Sequence, residues 1–334
     1  MAGRGMATKP LEGRLYRYRS SPGSLQAFES GPATTSSFAV YVGGLTDGLL
    51  ACSYVEALAE ECASRGWALV QPILSSSYAG YGTGGLDRDV DELSMLARHL
   101  ATERGAKSLV LIGHSTGCQD AVHFMATAAD EARELVRGVV LQAPVSDREA
   151  ASLEGGAEER AALLQKAEAL CAEGRGDTLI TLQYGFVPLT GVSPVWGSSL
   201  GHEHSSAPIG CSATHALGPR VDAAARFASL NGRGGPDDMF SSDFSDAELR
   251  AKLGHLAGGG CRTVFAHSLA DEYVPPSVDV EALALRFVAA AGGAAHAEAL
   301  ILRDAKHNLD SPDGAAARQF VARVGDLLVE VAQT

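Results

Sequence analysis

The stretch from Ser108 to Met125 reads SLVLIGHSTGCQDAVHFM, and it decides the fold. Residues 108–112 form a short apolar run with β-branched members, which is typical of a buried strand. Residues 113–117 read Gly-His-Ser-Thr-Gly, and apolar side chains then recur at helical spacing. The sequence therefore predicts a strand that turns sharply into a helix, with a serine at the turn.

A strand, a G-x-S-x-G turn and a helix in this order are the signature of the nucleophile elbow in α/β hydrolases. Gly113 and Gly117 have no Cβ to collide with the neighbouring strand and helix, so Ser115 Oγ is lifted clear above the sheet. The N–H of Thr116 points into the same space at a helix N-terminus, where partial positive charge favours an oxyanion. G-x-S-x-G alone also occurs in ordinary loops, and the flanking elements favour the catalytic interpretation.

Composition limits the partners and the compartment. The 334 residues carry a formal net charge of −13, which argues against nucleic acid and against an anionic membrane surface. No apolar run is long enough to span a bilayer. The six cysteines are scattered without a C-x-x-C, which indicates reduced thiols and predicts a cytoplasmic protein. The basic first dozen residues resemble a very short transit peptide, so a plastid location stays open.

Strands and helices alternate along most of the chain. Two strand-like runs at 15–18 and 25–28 flank a turn and predict an antiparallel hairpin at the sheet edge. Further strands are predicted at 37–42, 67–70, 135–142, 261–267 and 297–302. With the helices between them, these predict an α/β-hydrolase fold: a mostly parallel twisted sheet of about eight strands, helices on both faces and a cap insertion.

The alternation breaks between residues 148 and 260. An amphipathic helix is predicted at 157–172, a loop rich in Gly, Ser, Pro and His at 184–215, and a further helix after a capping box that begins at Ser245. We interpret 148–260 as a cap over the active site, inserted into a hydrolase core made of 1–147 and 261–334. Such a cap would wall the substrate pocket.

A serine hydroxyl needs a base, and the base needs an orienting carboxylate. In this fold the acid follows a late strand and the histidine follows the last strand, in the chain order Ser, acid, His. Asp271 and His307 occupy those two loops, so Ser115, Asp271 and His307 are the predicted catalytic residues. Asp147, after the strand that follows the elbow, is the alternative acid, and Glu272 is interpreted as a surface charge.

The glycine-rich loop after the strand at 37–42 is predicted to supply the other half of the oxyanion hole, with Leu45 N–H as the donor beside Thr116 N–H. Gly44 and Asp47 in this loop are predicted to contact the substrate. Tyr78, in the polar loop at a neighbouring strand end, and His114, in the elbow, are predicted to do the same. For His114, packing beside the strand ends is the alternative.

No metal or cofactor is predicted. His202 and His204 are two potential ligands without a third at metal-site spacing. Cys118, one turn into the elbow helix, is interpreted as a small core residue rather than a second nucleophile. Acyl transfer from an ester to serine and then to water needs no cofactor.

Several stretches together resemble one family of α/β hydrolases, found in plants, algae and fungi, that is largely uncharacterised and includes fungal siderophore esterases. The matching stretches are GGLTDGLL at 43–50, SSSY at 75–78, GHSTGCQD at 113–120, QAPVSDRE at 142–149, DDMFSSD at 237–243, DEYVP at 271–275 and HN at 307–308. The resemblance implies the hydrolase fold, with Ser115, Asp271 and His307 at the family's triad positions. It also implies ester substrates, since the fungal members cleave esters of hydroxamate siderophores.

These observations predict a serine esterase that acts on a small-molecule ester through an acyl-enzyme. Two alternatives remain: a non-catalytic receptor on a hydrolase fold, and an acyltransferase in which an alcohol replaces water. The sequence makes no prediction of oligomeric state or of the preferred ester.

Overall fold

The computed structural model describes residues 10–21, 23–153, 156–182, 220–258 and 260–333. Its strands are β1 (Arg14–Arg19), β2 (Leu25–Ser30), β3 (Ser37–Val42), β4 (Ala68–Ile73), β5 (Ser108–His114), β6 (Val136–Gln142), β7 (Leu179–Leu182), β8 (Arg220–Ala223), β9 (Arg262–Ser268) and β10 (Ala297–Leu302). Its α-helices are α1 (Val55–Ser64), α2 (Leu86–Arg104), α3 (Gly117–Thr127), α4 (Asp130–Arg133), α5 (Asp147–Ala151), α6 (Ala157–Ala172), α7 (Ala224–Asn231), α8 (Asp246–Leu253), α9 (Val280–Ala290) and α10 (Ala315–Ala332). Two 3-10 helices lie at Tyr78–Thr83 and Gly254–Ala257.

Eight strands form one sheet in the order β1-β2-β4-β3-β5-β6-β9-β10. The β1–β2 and β2–β4 pairs are antiparallel, and the other five pairs are parallel. The mostly parallel sheet and the antiparallel hairpin at its edge are therefore confirmed. Because β3, β5, β6, β9 and β10 run in one direction, their carboxyl ends meet at one rim, where ligands bind in such sheets.

Helices cover both faces of the sheet. Alternate residues of β3 point to opposite sides, so Phe38 and Val40 join one apolar layer while Ala39 and Tyr41 join the other. The first layer includes side chains of α2, α3, α8 and α9, and the second includes those of α1 and α10. These two layers of buried apolar side chains hold the sheet and fix its rim.

The outermost strand, β1, reads RLYRYR and pairs with β2 alone among the described strands. Tyr18 is buried beneath it, while Arg14 and Arg17 are exposed. Arg14 Nη2 donates to Glu29 Oε1 at 2.8 Å, and Arg104 of α2 contacts the other oxygen of the same carboxylate. The hairpin is thus tied to a neighbouring helix by charge as well as by packing.

The region interpreted as a cap divides between two apolar clusters. Side chains of α6, α7 and β7 form a small cluster of their own, centred on Leu170, Ile180 and Phe227. The buried apolar side chains between Met239 and Leu256 belong instead to the main core, because α8 packs against α9. This packing favours a cap that ends before residue 237, shorter than the predicted 148–260. The loop predicted at 184–215 lies outside the described residues.

Several further features bear on the predictions. The capping box at Ser245 is present, with Ser245 Oγ accepting from Glu248 N and the Glu248 carboxylate accepting from Ser245 N. Cys52, Cys62, Cys118, Cys171 and Cys261 are free thiols. No helix within the described ranges combines the length and the apolar character needed to cross a bilayer.

Candidate active site

Ser115 sits in a strained turn between β5 and α3. Its φ is +52°, in the left-handed region that costs a residue with a side chain about 1–3 kcal/mol. The turn is tight because the helix start is pressed against β3: a Cβ on Gly117 would lie 2.2 Å from Val42 O. The sequence G-x-S-x-G is therefore needed for the close approach, and the serine is held at the rim by the surrounding backbone.

His307 and Asp271 meet at the same rim, on the loops after β10 and β9. His307 Nδ1 lies 2.9 Å from Asp271 Oδ2 and 3.1 Å from Oδ1, and both side chains are buried. Burial alone would raise the pKa of Asp271, but the nearby His307 and the N–H of Tyr273 lower it below the ordinary value. Asp271 is thus an ionised acceptor that directs His307 Nδ1–H inward and leaves Nε2 for another partner.

The ring of His307 packs among aromatic neighbours. It lies 5.1 Å from the ring of His114, the residue before Ser115, and Tyr273 meets it edge-on at 4.5 Å. Within the described part of the chain, no hydrogen bond joins Ser115 Oγ to His307. Catalytic hydrogen bonds of an unliganded site are often formed only with substrate bound.

The alternative acid, Asp147, lies elsewhere. Its Oδ2 accepts a hydrogen bond from Gln119 Nε2 at 2.8 Å, on α3, whereas the carboxylate bonded to the His307 ring is that of Asp271. This geometry favours Asp271 over Asp147. Glu272 is exposed, as expected for a surface charge, but its Oε2 also accepts from His307 N at 3.0 Å. It therefore fixes the backbone of the histidine loop.

The glycine-rich loop after β3 closes on itself beside the serine. Gly44 N donates to Asp47 Oδ2 at 2.7 Å, and Asp47 N donates to Gly44 O at 3.1 Å. Among the described residues, no acceptor is recorded for the N–H of Leu45 or of Thr116. A Cβ on Gly44 would lie 2.7 Å from Ser115 Cβ, so this loop is in van der Waals contact with the elbow. Two amide donors beside the serine are the arrangement an oxyanion requires.

A buried polar network, absent from the sequence-based predictions, lies beneath these loops. Gln142 Oε1 accepts from Tyr54 Oη at 2.9 Å and lies 2.5 Å from His114 Nδ1, while Gln142 Nε2 donates to His307 O at 2.9 Å. Since the amide nitrogen faces a carbonyl, its oxygen faces His114, whose Nδ1 therefore carries a proton. The one signal in the sequence is a glutamine directly after the apolar run at 139–141.

His114 continues this network toward the glycine-rich loop. Its Nε2 lies 3.8 Å from Asp47 Oδ2, and the ring is 3% exposed. Burial opposes ionisation, but Cys52, Asp47 and Gln142 outweigh it and raise the pKa of His114 to about 10. His114 is therefore buried among strand ends, which corresponds to the packing alternative, and lies outside the lining of the rim pocket described below.

The other residues predicted to contact substrate are Gly44, Asp47 and Tyr78. Gly44 and Asp47 line a pocket at the rim. Tyr78 is 44% exposed, and its Oη accepts from Leu49 N at 3.2 Å, so it braces the end of the glycine-rich loop. His202 and His204 lie outside the described residues, and the described ones contain no group of three side chains suited to a metal ion.

The sequence profile of the family described as "Protein of unknown function (DUF1749)" matches residues 6–195 and 201–328. The chain belongs to this family. "Fusarinine C esterase sidJ" of Aspergillus fumigatus is 30% identical, over 93% of this chain and 93% of that protein. "Esterase AN6793" of Emericella nidulans is 28% identical, over 97% of this chain and 94% of that protein.

Among solved structures, "Siderophore hydrolase EstB from Aspergillus fumigatus" superposes with a TM-score of 0.72 at 27% identity, covering 97% of this chain and 99% of that one. The predicted α/β-hydrolase fold is confirmed, and so is the similarity to fungal esterases. The wider distribution in plants and algae stays a prediction. Named esterases among the DUF1749 relatives support an esterase-type serine hydrolase.

Proposed function

We propose that this protein hydrolyses a small-molecule carboxylic ester with Ser115 as nucleophile, His307 as base and Asp271 as orienting acid. The observation that carries the proposal is the buried Asp271–His307 pair, 2.9 Å apart, at the rim where the elbow exposes Ser115. Ser115 is held with a positive φ in the strand-to-helix turn, and backbone strain of this kind clusters at active sites. The same rim holds two amide donors with no described acceptor.

The chemistry proceeds in two acyl transfers. His307 Nε2 removes the proton of Ser115 Oγ as the oxygen attacks the ester carbonyl, and Asp271 stabilises the imidazolium. The N–H groups of Leu45 and Thr116 bind the oxyanion. Removal of one of these donors would reduce transition-state stabilisation by about 3–4 kcal/mol. His307 then protonates the departing alcohol. Water attacks the acyl-enzyme by the same route and releases the acid.

The proposed substrate class is a siderophore ester. Support comes from two relatives: one is named for fusarinine C, and the other, of known structure, is named a siderophore hydrolase. Both align with nearly the whole chain. A cap decides which ester a hydrolase prefers, so a graded panel of esters, with siderophore esters included, is the appropriate screen.

A fluorophosphonate probe tests the catalytic assignment. We expect it to label wild-type protein at Ser115, and we expect Ser115→Ala to abolish both labelling and turnover of short acyl esters. Ser268→Ala is the matched control: this buried serine ends β9, two strands away from β5 in the sheet, and its Oγ has no hydrogen-bond partner, so labelling should persist. Folded wild-type protein that resists labelling and hydrolyses no ester would overturn the proposal.

The same measurements separate the alternatives. Ligand binding that is unchanged in Ser115→Ala, without turnover, would favour a receptor. Products that incorporate an added alcohol in place of water would favour an acyltransferase. The intact Asp271–His307 pair supports hydrolysis over a receptor, because a pure binder has no need of an oriented imidazole.

A further inference from the structure

Two pockets flank the elbow along the rim of the sheet. The rim pocket lies on the side of β3, and its lining includes Gly44, Leu45, Thr116, Asp89, Asp120 and Arg226. The second pocket lies over β6 and β9, between the loops that follow these strands and the start of α9. Because β5 stands between β3 and β6 in the sheet, the two pockets lie on opposite sides of Ser115.

The second pocket is mainly apolar, and its space is about 310 Å³, counting its solvent-filled mouth. Two of its polar side chains are already bonded: Ser146 Oγ to Ser241 Oγ at 2.6 Å, and Glu149 Oε1 to Ser242 N at 3.0 Å. No lysine or arginine lines it within the described part of the chain, so an anionic group would be unpaired there. Its apolar lining includes Val145, Phe240, Val274, Val280 and Leu283.

His267, near the end of β9, brings an unpaired polar atom to this lining. It is 4% exposed, and its Nε2 has no hydrogen-bond partner among the described residues. The ring packs against that of Phe287, 5.6 Å away, which offers neither a donor nor an acceptor. Burial lowers the pKa of His267 to about 4, although the charge of Asp271 opposes this, so the ring is neutral at pH 7. A buried polar atom without a partner is costly, so this ring favours a ligand group that can bond it.

The position of the second pocket indicates which half of an ester would reach it. With the carbonyl oxygen directed at the N–H groups of Leu45 and Thr116, on the side of β3, the leaving oxygen must face His307, which protonates it. Tyr273 joins this side of the site to the second pocket, since it lines the pocket and its ring meets that of His307 edge-on at 4.5 Å. The group attached to the leaving oxygen, which is the alcohol part, therefore extends toward the second pocket.

We propose that the second pocket binds the alcohol part of the ester, as an apolar chain that carries one neutral hydrogen-bonding group for His267. This inference rests on the proposed ester hydrolysis and deepens it. The apolar walls favour a hydrocarbon chain. A hydroxyl group both donates and accepts, so it can pair with His267 Nε2 in either tautomer of the ring. His267 thus determines specificity and touches no reacting bond.

Acetate esters isolate the alcohol part, because all of them form the same acetyl-enzyme and differ only in the group that leaves. The matched pairs are 4-hydroxybutyl with pentyl, 5-hydroxypentyl with hexyl and 6-hydroxyhexyl with heptyl acetate, in which a hydroxyl replaces the terminal methyl. For at least one pair, we expect the ratio of kcat/KM for the hydroxyl ester to that for the alkyl ester to be about tenfold higher in the wild type than in His267→Leu, which removes the hydrogen bond. His267→Gln should keep part of this ratio, since an amide also donates and accepts.

His255→Leu is the matched control, because His255 is also partly buried but bonds Val122 O at 2.9 Å and lines neither pocket. It should keep the wild-type ratio. A second variant tests the chain site without His267. Val145→Phe fills the pocket from a half-buried position in its lining, so it should lower kcat/KM for pentyl acetate about fivefold more than for methyl acetate. Leu285→Phe, at an exposed position of α9, should affect the two esters equally.

The possible outcomes separate this site from the proposed function. A ratio that is unchanged in His267→Leu would overturn the role of His267, and equal effects of Val145→Phe on pentyl and methyl acetate would overturn the alcohol site. Variants that discriminate instead among ethyl esters graded in acyl length would assign the pocket to the acyl part and contradict the proposal. In each of these cases esters are still hydrolysed. Lack of turnover of every ester would overturn the proposed function, and the alcohol site with it.

Discussion

Gln142 joins three parts of the candidate active site through one amide group. It bonds Tyr54 beneath the sheet, His114 in the elbow and the carbonyl of His307. Removing it would leave the buried carbonyl of His307 and Nδ1 of His114 without this partner, at a cost of about 1–3 kcal/mol. We propose that Gln142 acts through its neighbours, as a positioning residue, and touches no reacting atom.

Gln142→Met is therefore expected to lower kcat by about 10–100-fold with little change in KM, since orientation of the base is lost while the substrate pocket is kept. Gln119→Met is the matched control: Gln119 is equally buried on α3 but bonds Asp147 instead of the histidine loop. Steady-state kinetics with a short ester measure both. Equal losses in the two variants would assign a general packing role to Gln142.

Asp89 carries a charge that the fold does not favour. Its pKa is raised from 3.8 to about 6, so the folded state holds a proton more tightly than the unfolded chain. Ionisation therefore destabilises the folded state progressively as pH rises from about 4 to 6, and the full penalty applies above pH 6. A pKa shift of this size corresponds to a destabilisation of the folded state by roughly 3 kcal/mol when Asp89 is fully ionised.

We expect Asp89→Asn to raise the free energy of unfolding at pH 7.5 by up to roughly 3 kcal/mol, because the neutral amide avoids that penalty. The gain should shrink toward zero near pH 4. Chemical denaturation at the two pH values measures it, with Asp91→Asn as the exposed control. A gain that is the same at both pH values would contradict the charge explanation.

Sequence reasoning predicted Ser115, His307 and Asp271, with Asp147 as the alternative acid, because each follows a recognisable strand. It did not identify Gln142, Asp89, Asp120 or Arg226. These residues come together only when α2, α3, α7 and the strand ends converge, and residues so far apart along the chain show no common spacing. Arg226 in particular reads as an ordinary surface arginine of a short helix until Asp237 is found beside it.

At the level of elements, the strand-to-helix junction depends on contact between two backbones. Gly117 begins α3 directly beneath Val42 O, and the obstruction to any side chain there is main chain, which cannot move aside. Gly325, inside α10, would place a Cβ 2.1 Å from Glu61 Oε1, the end of a flexible side chain. The two glycines thus differ in what surrounds them.

Gly117→Ala is expected to lower the free energy of unfolding by more than about 2 kcal/mol, since β3 and α3 must separate. Gly325→Ala should stay within about 1 kcal/mol of wild type, because Glu61 can swing away and alanine favours the helix. Urea denaturation compares them. A Gly117→Ala protein as stable as Gly325→Ala would show that the elbow can relax.

Element prediction succeeded where apolar runs are continuous. Strands β3 and β10 and helix α6 have the predicted bounds, and the other core strands differ by a few residues at their ends. The β7–β8 pair was not predicted, because its four-residue strands lie more than 35 residues apart in sequence and, among the described strands, pair only with each other. The segment from Met239 to Leu256 was assigned to a cap because strand–helix alternation stops between residues 148 and 260, yet its buried Met, Phe and Leu side chains complete the core.

At the scale of the whole molecule, Arg148 links helix α5 to the loop that precedes α8. Arg148, on α5, donates to Asp238 at 3.1 Å and to Asp243 at 2.6 Å, and Asp238 is buried. Arg148 and Arg233 both lie over the Phe244 ring. Arg233 also pairs with Asp243, but it is half exposed. A buried carboxylate that loses its cation is destabilising, whereas an exposed pair contributes little.

Arg148→Met should therefore lower the free energy of unfolding by about 2–3 kcal/mol, and Arg233→Met by about 0.5 kcal/mol or less. Both changes keep an apolar stem over Phe244, so the comparison isolates the charge. Thermal and urea unfolding at neutral pH measure it. Similar effects of the two substitutions would mean that Asp238 is stabilised by Gly234 N and Ser241 Oγ without Arg148.

The arginines of β1 have a consequence for the behaviour of the protein at high concentration. An outermost strand exposes unpaired backbone groups that can template edge-to-edge association. Three of the six residues of β1 are arginine, so a second copy that approached along this strand would bring like charges into register. We therefore expect these side chains to disfavour fibril-like stacking along the sheet border.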